Sequence, residues 1–394
     1  MRNITPFLLL VALMVGFRSM GYAQGVHFIP KENYVYGALD TENYLRLLDG
    51  SHVGVVANQT SIVGDTHLVD TLVASGVDVK RIFTPEHGFR GAADAGAKIN
   101  DGKDEKTGIP ITSLYGKTKK PTPEMLRDIN VMLFDLQDVG VRFYTYISTL
   151  TYVMEACAEN DIPLIVLDRP NPNGFYIDGP VLKSENSSFV GLHPVPVVYG
   201  MTIGEYAQMV NGEGWMKNHV HCELTVVNIP GYERNAIYEL PVKPSPNLPN
   251  WESVYLYPSL CFFEGTIVSV GRGTDEPFQV FGHPDMRGDF SFTPESKEGA
   301  SKPLLEGQRC RGTNLSDFAL DYANNTPMLH LEWLIEAYQQ LKNKTFFTNY
   351  FRLLAGDKQL QKDIENGVSA DAIRESWKKE LDAFKDIRTR YLIY

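Results

Sequence analysis

The residues best suited to chemistry in this chain are carboxylates and arginines gathered in short polar clusters. Glu86 stands in Pro85-Glu86-His87-Gly88-Phe89, beside a histidine and an uncrowded glycine. Partial burial raises a carboxylic acid's pKa, so a glutamate in such a setting can hold a proton and serve as a general acid. The plainer alternative is that Glu86 caps a turn or pairs with Arg90, and His87 either contacts a ligand or only bonds within the protein. Asp135 and Asp138 open a second cluster that continues through Arg142, Tyr144 and Tyr146. Carboxylates three apart can orient hydroxyl groups, bind a cation or brace a loop. The tyrosines suit either stacking on a flat ligand face or packing. Asp168-Arg169-Pro170-Asn171 forms a third cluster. Arg169 can fork onto a ligand carboxylate, or can pair with Asp168 and fix the Asn171-Pro-Asn-Gly loop. Glu264 and Arg272 follow in Phe263-Glu-Gly-Thr266 and Gly271-Arg-Gly-Thr274, where glycines mark a close backbone approach.

What is missing narrows the chemistry. No His-x-His or His-x-x-x-His spacing accompanies these clusters to suggest a metal centre, and no Gly-x-Ser-x-Gly elbow or phosphate loop appears. We therefore expect neither a metal nor an organic cofactor.

The elements that must carry these residues are visible as hydrophobic runs. Three runs, ending at Thr84, Phe134 and Leu167, each stop abruptly in one of the clusters. In an open α/β sheet ligands bind beyond the carboxyl ends of the strands, so clusters at three such ends imply one shared site. The pattern predicts strands at Val53–Ala57, Arg81–Thr84, Val131–Phe134, Pro163–Leu167, Val195–Val198 and Leu224–Ile229. Helices are expected from His67 to Ser75, from Pro123, from Tyr146 to Asn160, and after a capping box at Thr202-Ile-Gly-Glu205. Alternation of this kind gives a parallel sheet with helices on both faces. Strand Val53–Ala57 runs into Asn58-Gln59-Thr60 rather than a glycine-rich turn, which disfavours a dinucleotide. Pro241 to Pro258 reads as linker, giving a first domain at 24–250 and a second at 251–394. The second mixes a short strand region at Phe262–Val270 with later helices. Ser369 caps the last of these, whose Ile373, Trp377, Leu381 and Phe384 share one face.

Arg2, the apolar run from Phe7 to Phe17 and the small residues around Ala23 read as an export signal at 1–23, so we expect a periplasmic or secreted protein without a membrane span. Removing this leader deletes Arg2 and Arg18 and no acid, taking the formal charge from −11 to −13 and arguing against nucleic acid as a partner. The 4 cysteines, Cys157, Cys222, Cys261 and Cys310, are too few and too scattered for a framework, and are read as buried thiols.

Taken in order, the Pro85–Phe89, Asp135–Tyr146, Asp168–Gly174, Phe263–Thr266 and Gly271–Thr274 motifs resemble the NamZ-type exo-β-N-acetylmuramidases, from about Val53 to the C-terminus. The resemblance implies an α/β protein with a Rossmann-like N-terminal domain lacking a nucleotide loop, a smaller α/β C-terminal domain, and a site in the cleft between them. It implies release of N-acetylmuramic acid from the non-reducing end of peptidoglycan fragments, and it makes Glu86 the catalytic glutamate. Glycoside hydrolysis usually takes two carboxyl groups, and Glu264, Asp168 and Asp135 are candidates for the second unless the substrate's acetamido group replaces it. Arg169, Arg272 and Arg142 are the options for the muramic lactyl carboxylate. His87, Asp135, Asp138, Tyr144, Tyr146 and Asn171 complete the expected contacts. A peptidoglycan amidase or deacetylase, or a muropeptide-binding module, are the alternatives; metal dependence would mark the former, and binding without turnover the latter.

Overall fold

The computed structural model describes residues 27–86, 88–89, 101–319 and 327–394. The expected leader, His87 and Arg90 lie outside the described residues. Among the described residues seven strands build the central sheet: β2 (His52–Ala57), β5 (Asp78–Thr84), β6 (Gly102–Lys103), β7 (Pro110–Ser113), β8 (Val131–Asp135), β9 (Leu164–Leu167) and β10 (Leu224–Val227). Their spatial order is β10-β9-β8-β2-β5-β7-β6, and every neighbouring pair is parallel except β6 with β7. Val-Met-Leu-Phe-Asp in β8 and Leu-Ile-Val-Leu in β9 are buried along their whole length, as strands covered on both faces must be.

Around this sheet lie the short pairs β1 (His27–Ile29) with β11 (Ala236–Tyr238) and β3 (Ile62–Val63) with β4 (Thr66–His67). A three-stranded antiparallel sheet in the order β12-β14-β13 follows, from Val280–His283, Cys310–Asn314 and Phe290–Phe292.

The direction of the strand order reverses between β2 and β8, where a doubly wound sheet normally opens a ligand crevice. Here the chain covers its own strand ends. The Tyr34 hydroxyl donates to Gln137 Oε1, and the Arg169 guanidinium lies 4.5 Å over the Tyr36 ring. Gly64 N–H donates to the Tyr36 hydroxyl at 3.1 Å. Aromatic rings of the protein thus occupy the approach to β8 and β9.

The helix at Tyr146–Glu159 matches the expected one, and the Thr202–Glu205 capping box is complete in both directions. Three readings need correction. Val195–Val198 is not a sheet strand; Val198 forms isolated antiparallel bridges to Val141 and Asp178. Pro194 and Pro196 remove backbone donors from that segment, which keeps it off a ladder. The end of the supposed linker is the helix Trp251–Leu260, capped by Asn250 and containing Pro258. Pro258 has no N–H for the Val254 carbonyl, and Asn173 Nδ2 supplies the missing donor at 3.2 Å. Finally, Cys261–Gly265 is a 3₁₀ continuation of that helix rather than strand.

One apolar cluster runs from Phe134 and Val166 on the sheet, through Leu150 and Met154, to Leu334, Phe351, Trp377 and Phe384. The last helix, Ala370–Thr389, is capped by Ser369 and buries Ile373, Trp377, Leu381 and Phe384 as its spacing requires. A second cluster packs Val53, Val55, Leu68 and Leu72 on the opposite face of the sheet. All four cysteines are free and buried. Among the described residues no helix is long and apolar enough to cross a membrane.

Candidate active site

Beyond the carboxyl ends of β5, β7 and β8 lies a cavity of about 290 Å³. Glu86, Tyr115, Tyr144 and Tyr146 line it from the central sheet, and Glu264, Arg272, Phe278 and Tyr350 from the later part of the chain.

Glu86 arrives two residues after β5 on a tight turn, in which Gly88 N–H donates to the Pro85 carbonyl at 3.2 Å. Gly88 has φ +77°, a conformation that favours glycine there. Phe89 is buried and meets the His67 ring edge to face at 4.7 Å, which anchors the far side of the turn. Thr145 Oγ1 donates to Glu86 Oε2 at 3.3 Å. The Tyr115 hydroxyl also bonds to Glu86; burial and then the Glu86 charge keep that phenol protonated, well above the usual tyrosine range.

Glu264 is held differently. Arg272 Nη2 lies 2.7 Å from its Oε1, with both side chains about four-fifths buried. The Cys261 thiol donates to Oε2 at 3.4 Å. The Arg272 guanidinium packs 5.1 Å over the Phe278 ring, and its buried Nε has no hydrogen-bond partner among the described residues. Gly271 and Gly273 have φ of +75° and +82°. A Cβ there would meet the Glu276 and Glu295 carbonyls at 2.8 and 2.4 Å, so the close approach that these glycines permit is to the protein's own backbone.

Tyr144 and Tyr146 line the cavity but present little open ring, being 7% and 1% exposed. The Tyr144 hydroxyl donates to the Pro244 carbonyl at 2.8 Å, and Tyr146 accepts from Asn58 Nδ2 at 2.8 Å. They form a packed wall with hydroxyl edges, not the stacking platform their sequence context allowed.

The structure places the remaining candidates elsewhere. Arg169 forks onto Asp135, Nε to Oδ1 at 2.5 Å and Nη2 to Oδ2 at 2.9 Å, with both side chains inaccessible. That pair is internal and leaves neither residue for substrate; of the two alternatives for Arg169 an internal pair is the one found, but with Asp135 in place of Asp168. Asp168 is fully buried and accepts from Thr202 Oγ1 (2.7 Å), Gly204 N–H (2.8 Å) and the Tyr394 hydroxyl (2.9 Å). Burial pushes its pKa up to about 6 against those donors, but it does not line the cavity, which argues against a catalytic role. Asp138 accepts from the Tyr199 hydroxyl and from Gly140 N–H at 2.7 Å, and burial likewise raises it to about 6. Arg142 donates to four carbonyls, Pro180 (2.7 Å), Val195 (2.8 Å), Leu354 (3.0 Å) and Ala355 (2.7 Å). It is a clamp between backbone segments rather than an anion receptor. Asn171 donates Nδ2 to Met201 O at 2.8 Å and accepts from Asn173 N–H at 2.8 Å, fixing its own loop.

Sequence reasoning missed Tyr115, Thr145, Phe189, Tyr257 and Tyr350, which all line the cavity. Tyr115 had a signal: Ile109-Pro-Ile-Thr-Ser113 is a short apolar run ending in Leu-Tyr-Gly116, and it is strand β7. Tyr350 had none, since it opens a short helix far along the chain, with Thr348 accepting its N–H.

Two family models match nearly the whole described chain. The one described as "Exo-beta-N-acetylmuramidase NamZ, N-terminal" matches residues 53–252, and its C-terminal counterpart matches residues 255–394. The chain is 39% identical to Peptidoglycan beta-N-acetylmuramidase NamZ of Bacillus subtilis (strain 168), with 92% of each chain covered. Two crystal structures of DUF1343 family proteins from Bacteroides fragilis NCTC 9343 share the fold. One is 43% identical with a TM-score of 0.84, the other 29% identical with a TM-score of 0.79; each comparison covers 91% of this chain and 98% of the relative.

Proposed function

The chain belongs to the exo-beta-N-acetylmuramidase NamZ family, and we propose that it hydrolyses the glycosidic bond of terminal, non-reducing N-acetylmuramic acid in peptidoglycan fragments. The observation that carries the reading to particular residues is that Glu86 and Glu264, from distant parts of the chain, line one aromatic-walled cavity. Two carboxyl groups flanking one space are what most glycoside hydrolases require.

In this reading Glu86 donates its proton to the leaving glycosidic oxygen as the bond to the anomeric carbon breaks. Thr145 and Tyr115 hold the carboxyl group in place for that transfer. Glu264 faces the same space and serves the other half of the reaction, by activating water, by attacking the anomeric carbon or by orienting the substrate's acetamido group. The leader expected from the sequence at 1–23 supports an exported enzyme, periplasmic or secreted, acting where peptidoglycan fragments are produced. The mass of the mature protein purified from its native host tests that placement; retention of residues 1–23 speaks against it.

The direct test of function compares wild type and Glu86→Gln on a chromogenic β-N-acetylmuramide, with the N-acetylglucosaminide as control and with EDTA present. Release from the muramide alone, insensitive to EDTA and lost in the variant, is expected. A folded wild-type protein that releases neither sugar sinks the proposal.

A further inference from the structure

N-acetylmuramic acid differs from N-acetylglucosamine by a lactyl ether that ends in a carboxylate. An enzyme that prefers it must offer a cation, and it must do so in a cavity that also contains two glutamates. Of the three arginines that sequence reasoning offered, two are spent: Arg169 on Asp135 and Arg142 on four backbone carbonyls. Arg272 alone reaches the cavity, and among its described lining residues it is the one cation.

Three features make Arg272 more than a structural partner of Glu264. Its Nε is buried without a hydrogen-bond partner among the described residues, so the guanidinium keeps one donor that the protein itself does not use. Phe278 holds the guanidinium plane on one face, which fixes its direction. Its shortest contact with Glu264 runs from Nη2 to Oε1 at 2.7 Å, and Glu264 Oε2 already has the Cys261 thiol.

Resting on the muramidase reading above, we infer that Arg272 determines specificity: it binds the substrate's lactyl carboxylate through the guanidinium that Glu264 occupies in the free protein. The incoming carboxylate takes over charge compensation of Arg272, and Glu264 is released toward the reacting carbon. A neutral N-acetylglucosaminide offers no such exchange, so it leaves the Glu264–Arg272 pair closed. Selection and activation are then one event.

The test uses two chromogenic muramides, one with the free lactyl acid and one with the lactyl group capped as its methylamide. Wild type should prefer the acid by roughly 10–100-fold in kcat/KM, the range expected for hydrogen bonds to a charged group. Arg272→Met should bring the acid substrate down to the methylamide's level, so that the preference disappears. Arg272→Lys, which keeps the charge but not the fork, should keep part of the preference, and guards against a misfolded methionine variant. Lys119, 4.4 Å over the Phe189 ring near the cavity, is the alternative cation, and Lys119→Met should leave the preference intact. Glu264→Gln, which removes the competing charge, should bind free N-acetylmuramic acid several-fold more tightly, by calorimetry, while turnover falls.

A wild type that hydrolyses both muramides equally overturns the inference, as does an acid preference that survives Arg272→Met. Unchanged binding of N-acetylmuramic acid by Glu264→Gln overturns the exchange. Hydrolysis of neither muramide by wild type overturns the muramidase reading itself, which separates the two failures.

Discussion

Asn58, the first residue after the central strand β2, donates Nδ2 to the Tyr146 hydroxyl at 2.8 Å, and so ties a strand end to the cavity wall. The same side chain accepts from Thr60 N–H at 2.9 Å and from the Thr60 hydroxyl at 2.6 Å, all out of contact with water. Asn58→Ala leaves these groups unpaired, at a cost of ~1–3 kcal/mol in stability. Urea denaturation measures that cost. Turnover of the muramide should fall in the same variant, because Tyr146 loses the bond that fixes its hydroxyl. A variant as stable and as active as wild type would show that the wall is held by packing alone.

Much of the fold was legible because its strands are short, fully apolar and punctuated by polar clusters. Val131–Phe134 and Leu164–Leu167 are short apolar runs bounded by turn residues, the pattern of buried parallel strands. The site was legible in a coarser way. The clusters at Glu86, Asp135 and Asp168 all sit at carboxyl ends, yet Asp135 and Asp168 are turned into the protein while Glu86 faces the cavity. Local sequence shows that a carboxylate ends a strand, but which way it faces depends on what arrives later in the chain. Tyr394 reaches back to Asp168, and the Arg169 fork closes on Asp135. The helix Trp251–Leu260 was hidden for a similar reason, since Asn173 provides the donor that makes Pro258 tolerable.

Asp138 supplies a pH dependence whose sign is fixed by its environment. Burial raises its carboxyl to about 6, against donors from Tyr199 and Gly140 that pull the other way. In the unfolded chain it titrates near ~4, so the folded state binds the proton more tightly between the two values. The contribution of this carboxyl to stability is present at acid pH and is lost as pH rises through that window. The loss amounts to ~3 kcal/mol. Asp138→Asn should remove the effect. The stability of wild type minus variant should therefore fall between pH ~4 and ~6 and be flat above. Denaturant titrations across that range check the slope; a rising difference contradicts the assignment.

Arg142 is predicted to matter for folding and not for recognition. Arg142→Met strips donors from four buried carbonyls and should cost at least ~3 kcal/mol, seen as a lowered melting temperature. The KM of whatever remains folded should match wild type. A raised KM with unchanged melting would instead return Arg142 to the substrate.

The thiols offer a simple check of packing. Burial raises Cys157 and Cys261 well above the usual thiol range and Cys222 to about 12. Ellman's reagent at pH 8 should therefore find almost no reactive thiol in the native protein and all four after denaturation. Fast labelling of Cys261 in the native state would mean that the Glu264 side of the cavity opens in solution.

The apolar cluster that joins the central sheet to the last helix has a thermodynamic consequence. Leu150 and Met154 share it with Phe351 and Trp377, and Arg142 stitches the loop after β8 to the carbonyls of Leu354 and Ala355. Neither half can lose its structure without exposing the other's interior. Calorimetry should then record a single endotherm whose van't Hoff and calorimetric enthalpies agree, and a fragment ending near Asn250 should not stay monodisperse. Cooperativity of this kind keeps Glu86 and Glu264 registered against each other for as long as the protein is folded at all.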